Sequence, residues 1–99
     1  MQKVLVAIPG DEVWIQEVTA GTKPFRELVG GPLDCIQLGG GFILYCNQDG
    51  SMKDLPVNPH FAQGIIKGPF VITKTEQEGK DAGLDEEDVQ FVMKTFIRT

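Results

Sequence analysis

Bond-making chemistry needs a nucleophile, a base and an orienting group within hydrogen-bond reach of one another. This chain offers few candidates for those roles. It has one serine, Ser51, in a turn-forming stretch, one histidine, His60, in a proline-rich stretch, and two cysteines, Cys35 and Cys46. Cys–His is the nucleophile–base pair that these residues allow. Both thiols, however, fall in strand-like runs, where a buried cysteine is inert packing. Metal binding is served no better. Separations of 11 residues from Cys35 to Cys46 and of 14 from Cys46 to His60 match no zinc spacing. Asp49-Gly50 lacks the alternating oxygen ligands of a calcium loop. Gly39-Gly40-Gly41 runs into a strand, whereas a phosphate-binding loop opens a helix whose N–H groups meet the anion. The triplet therefore reads as a hairpin loop. No catalytic residue, metal or cofactor is expected, and a hydrolase is the weakest of the functional readings.

What remains is equipment for recognition. Fourteen acids against nine bases give a formal charge of −5, a sign that repels nucleic-acid phosphate. The acidity is local. Residues Glu76, Glu78, Asp81, Asp85, Glu86, Glu87 and Asp88 lie within one segment that holds a single base, Lys80, while the rest of the chain is close to neutral. Such a run either docks on a basic partner or is a solvated segment feeding a helix N-terminus, where acids are stabilising anyway. Trp14 is an interface anchor or a core residue. Asn58 stands between Pro56 and Pro59 on a stiffened segment. Its side chain either binds a small ligand or hydrogen-bonds neighbouring backbone as a turn cap; His60 and Asn47 are the other ligand-binding candidates.

These residues are positioned by elements that the pattern punctuates well. Lys3–Ile8 is an apolar strand stopped by Pro9-Gly10, and Val13–Val18 a second. Thr22 is placed to cap a short helix with Pro24 in its first turn and Phe25, Leu28 and Val29 on one face. Gly30-Gly31-Pro32 ends that helix. Leu33–Leu38 and Phe42–Asn47 read as a hairpin in which Leu38 pairs with Phe42, Ile36 with Leu44 and Asp34 with Cys46. That register puts Cys35 and Cys46 on opposite sheet faces, which forbids a disulfide. Leu55–Phe61, with its two prolines, is loop or a single 3₁₀ turn. Ile65–Thr75 contains a fifth strand, with Phe70, Ile72 and the Lys74 stem on one face and Val71 and Thr73 on the other. The last element is an amphipathic helix. Asp85 caps it, Leu84 and Val89 have the spacing of a hydrophobic staple, and Val89, Val92, Met93, Phe96 and Ile97 form its apolar stripe.

The order β-β-α-β-β-β-α predicts an α+β fold: a mainly antiparallel sheet of five strands with both helices packed on one face. The first strand is apolar on both sides, so it is either central or covered on its second face. Ninety-nine residues fit one domain, 1–99. No apolar run reaches the ~18 residues of a membrane span, and with two cysteines and no secretory signal at the first residues the expected compartment is the cytoplasm.

A set of short motifs in order carries a resemblance: Leu28-Val29-Gly30-Gly31 at a helix end, Leu44-Tyr45-Cys46-Asn47, Gln48-Asp49-Gly50, Leu55-Pro56-Val57-Asn58, and Ile65-Ile66-Lys67-Gly68-Pro69-Phe70-Val71-Ile72. Together they resemble a domain-of-unknown-function family of small proteins from bacteria, phages and plasmids. The resemblance spans nearly the whole chain. It supplies no activity and no catalytic residue, and it implies a mobile-element setting. The leading expectation is a small acidic, non-enzymatic binding protein that inhibits or modulates a host protein with a basic surface, such as a defence component. Glu76, Glu78, Asp81, Glu86, Glu87 and Trp14 are its candidate partner surface. The alternative is a protein that binds or sequesters a nucleotide through Asn47, Asn58 and His60. Self-association into a homodimer is left open.

Overall fold

The computed structural model describes residues 2–19, 21–50, 52–75 and 82–98. The elements follow the expected order: β1 (Gln2–Ala7), β2 (Trp14–Val18), α1 (Lys23–Val29), β3 (Leu33–Gly39), β4 (Phe42–Asn47), β5 (Phe70–Lys74) and α2 (Glu86–Thr95). All strand pairs are antiparallel, and the five strands lie in the order β2-β1-β5-β4-β3. The fold is α+β.

The two helices do not share a face. Alternation along the strands sends Leu5, Ala7, Phe42, Leu44, Cys46, Phe70 and Ile72 to one side of the sheet, where they pack with Val92 of α2, with Phe96 at its C-terminal cap, and with Phe61 and Ile66. Val4, Val6 and Val71 point to the other side and pack with Phe25 and Val29 of α1. The expectation of one covered face is corrected by the strands themselves. In β1, Val4, Leu5, Val6 and Ala7 are all fully buried, which a sheet with a solvated face would not allow. β1 is an interior strand between β2 and β5 and is buried on both faces.

Local departures have local causes. The glycine loop is tighter than expected: Gly39 pairs with Phe42, leaving a two-residue loop, and a bulge between Gln37 and Gly39 absorbs Leu38. Gly40 and Gly41 both have positive φ, 63° and 86°, the condition for a hairpin turn whose twist matches its strands. The bulge replaces the expected Leu38–Phe42 pairing. Ile36 and Asp34 nonetheless face Leu44 and Cys46 as read, so Cys35 is exposed, Cys46 is buried, and no disulfide joins them. Thr22 precedes α1, but its backbone is helical (φ −93°, ψ −13°) and its side chain makes no cap. Its hydroxyl instead accepts from the Arg26 guanidinium at 3.2 Å.

α2 ends at Thr95, so Ile97 is not part of its stripe. It forms an antiparallel bridge with Phe61, flanked by hydrogen bonds from Ala62 N to Phe96 O and from Arg98 N to His60 O. The fifth strand begins only at Phe70. Ahead of it, Lys67 bridges to Val57, which folds the proline-rich segment back along the chain.

Candidate functional site

Strand direction gives the sheet two unlike ends. One end gathers the Gly40-Gly41 loop, the close of β5 and the start of α2. The other gathers the connections around residues 8–13, 48–50 and 52–69.

At the loop end, the polar side chains singled out as ligand-binding candidates are engaged with backbone. Asn58 is 2% exposed. Its amide donates to Ala7 O at 3.1 Å and to Gly68 O at 3.0 Å, while its Oδ1 accepts from His60 N at 3.0 Å. The last bond, two residues on, is an Asx turn. The two donations tie that turn to β1 and to the approach to β5. Asn47 repeats the device: Oδ1 accepts from Asp49 N at 2.8 Å, and Nδ2 reaches back to the α1 terminus at Val29 O, 3.2 Å away. The His60 ring lies with Nε2 2.6 Å from Asp11 O. A carbonyl only accepts, so Nε2 carries the proton in this contact. With its backbone N–H on Asn58 and its carbonyl on Arg98, His60 joins three segments of chain.

These three side chains do not converge on one opening. An open groove of about 220 Å³ lies beside β3 and is lined by Asp34, Ile36, Cys46, Asn47, Gln48, Gly50, Ile65, Ile66 and Lys67. Asn47 borders it; Asn58 and His60 do not. Burial, then Asp34 and Cys35 nearby, push the Cys46 thiol up to about 11. At neutral pH it is therefore a thiol and not a thiolate nucleophile. Among the described residues no group of three or more His, Cys, Asp or Glu is placed to hold a metal ion, and no helix is long and apolar enough to cross a membrane.

The acidic end is organised differently. Asp85 caps α2 by accepting from Asp88 N at 2.8 Å, and Asp88 returns the bond by accepting from Asp85 N at 3.1 Å. The result is a capping box built from two aspartates. Asp88 also pairs with Lys74 of β5 at 3.2 Å, its side chain 14% exposed. Burial acts to raise the Asp88 carboxyl, but the Asp85 N–H and the Lys74 ammonium outweigh it and hold the group below its ordinary range. The Lys74 ammonium sits 5.5 Å from the Phe42 ring centre as well, and Phe91, half exposed, stacks on the same Phe42 ring with centroids 5.2 Å apart. Glu86 and Glu87, between the two cap aspartates, are exposed.

Of the other partner-surface candidates, Glu76, Glu78 and Asp81 lie outside the described residues, as does Ser51. On either side of 76–81, Ala82 N donates to Lys74 O and Thr75 N donates to Gly41 O. Trp14 is half-buried against the α1-side cluster, its indole N–H donating to Gln16 Oε1 at 3.0 Å. It sits between the two alternatives posed for it, part core and part surface.

The family model of a domain of unknown function, DUF3846, matches residues 1–97. The chain belongs to that family. No curated protein and no solved structure matches this DUF3846 chain.

Some features of the site have signals that a reader of the sequence could use, and others do not. The Asp85-x-x-Asp88 spacing is a capping box with aspartate in place of glutamate. The Phe91 position, off the apolar stripe, and the Lys74–Asp88 pair have no such signal, because each depends on how α2 lies across β4 and β5.

Proposed function

We propose that this DUF3846 protein is a small acidic, non-enzymatic, cytoplasmic binding protein, and that the start of α2 meets a basic surface on a protein partner. One observation carries the reading. Asp85 and Asp88 are spent on the capping box and on Lys74, while Glu86 and Glu87 between them are exposed on a rigid first helical turn. Among the described residues neither glutamate has an ion pair, and their backbone is already ordered in the helix, so that part of the entropy cost of meeting an outside cation is met by the fold. The mobile-element setting implied by the family resemblance makes a host protein, such as a defence component, the partner class in this reading.

The test is affinity purification from the native host, comparing wild type with Glu86→Lys/Glu87→Lys at low and high salt. The expected result is a basic protein retained by the wild type at low salt, weakened by salt and lost from the variant. Retention indifferent to both salt and charge reversal would remove this surface.

Small-ligand capture has the groove beside Asn47 as its place, with Lys67 and Gln48 on its rim. Its volume falls below the ~300–1,000 Å³ of pockets that enclose a ligand, which favours the first reading over nucleotide binding. A ligand present at 100 times its dissociation constant adds about 2.7 kcal/mol of stability. A thermal-shift screen with nucleotides that moves nothing removes the second reading.

A further inference from the structure

The fold already holds one cation against α2, between an acid and a ring. The Lys74 ammonium lies 3.2 Å from the Asp88 carboxylate and 5.5 Å from the centre of the Phe42 ring. The carboxylate supplies opposite charge, and the aromatic face attracts the cation through its quadrupole. The same two residue types recur one step outward on the helix. Glu87 and Phe91 are four positions apart, which makes them neighbours on one helical face. Helical side chains lean toward the N-terminus, so the Phe91 ring belongs over the turn that carries Glu87.

Phe91 is a large apolar side chain left 49% exposed in the middle of α2. It stacks on Phe42 at 5.2 Å and meets Phe96 edge to face at 6.0 Å. Those contacts hold the ring, and its outer face is left to solvent. Among the described residues no cation lies over that ring, and Glu87 has no ion pair. The outer pair has the composition of the inner one without its lysine.

We propose that the basic residue received beside the start of α2 is an arginine of the protein partner, its guanidinium stacked on Phe91 and donating to the Glu87 carboxylate. This rests on the partner-binding reading above and names the chemistry which that surface selects. Charge complementarity makes the occupant of the exposed ring a cation. Shape then decides between the two cationic side chains. A guanidinium is planar, stacks on an aromatic face and meets a carboxylate with two N–H groups at once. An ammonium is a more strongly hydrated point charge and does neither. Lys94, three residues beyond Phe91, is a like charge that confines the approach to the Glu87 side.

Fluorescence anisotropy with labelled nona-arginine and nona-lysine peptides, titrated with the full chain at low ionic strength, tests the proposal. Wild type should bind nona-arginine more tightly. Phe91→Leu keeps apolar bulk on Phe42 without the ring face. It should weaken nona-arginine by roughly threefold and leave nona-lysine as it was. Phe91→Trp, the better ring for a cation, should widen the preference, and it carries the test if the leucine variant fails to fold. A preference absent from wild type, or as large in folded Phe91→Leu, overturns the proposal. So does one that narrows in Phe91→Trp. Loss of both peptides in Glu86→Lys/Glu87→Lys, with no arginine preference in wild type, leaves the acidic surface standing and removes the arginine. Indifference of both peptides to that reversal removes the surface and the arginine together.

Discussion

The two ends of the sheet hold similar polar side chains and use them in opposite directions. At the loop end, the Asn47, Asn58 and His60 side chains hydrogen-bond backbone of α1, of β1 and of the connections at Asp11 and Gly68. At the acidic end, two aspartates close the helix cap while Glu86 and Glu87 face outward. The difference follows from what each end must solve. Long connections carry backbone donors and acceptors that no strand ladder satisfies, and a short amide side chain supplies both partners at once. A helix start needs only acceptors, and two carboxylates are enough. Glu86 and Glu87, in the same first turn, add to the fold through the helix dipole alone.

That contrast can be broken at its strongest point. Asn58→Ala leaves Ala7 O, Gly68 O and His60 N without their partner in a buried site, and should cost about 3 kcal/mol in urea-induced unfolding. Asn47→Ala removes one long-range bond and one turn bond, and should cost about 1–2 kcal/mol by the same measurement. At the acidic end the effects are smaller. Asp85→Ala removes the cap and should cost about 1 kcal/mol.

Acid titration sharpens the comparison. The Asp88 carboxyl titrates below its ordinary value in the folded protein, so its contribution is complete above the usual carboxylate range and is lost as pH falls through the folded value. Stability followed by circular dichroism should therefore drop below pH about 4, and Asp88→Asn should flatten that drop. Least of all, Glu86→Lys/Glu87→Lys should shift stability by no more than about 1 kcal/mol, through the helix dipole alone. A larger loss would mean that these glutamates serve the fold in a further way.

What could be read from the residues was whatever their near neighbours decide. β4 appears with its expected bounds because an apolar run stands between glycines and an Asn-Gln-Asp-Gly turn. The start of α2 appears as expected because cap, first-turn acids and staple lie within the six residues Leu84 to Val89. The Asx turns at Asn47 and Asn58 are likewise local, spanning two residues each. What escaped was decided at long range. β5 inserts between β1 and β4, and Asn58 finds Ala7 across 51 positions. Which sheet face each helix covers depends on the path of the connections, not on the helix's own stripe. α1 has the same kind of apolar face as α2, yet the two faces meet opposite sides of one sheet.

The division of labour between the ends is tested most directly by partner affinity, measured side by side for His60→Ala and Glu86→Lys/Glu87→Lys. The prediction is an unchanged affinity for the folded His60 variant and a loss of roughly tenfold or more for the charge reversal. Weakened binding on loss of the imidazole, with the reversed glutamates binding as well as wild type, would contradict it.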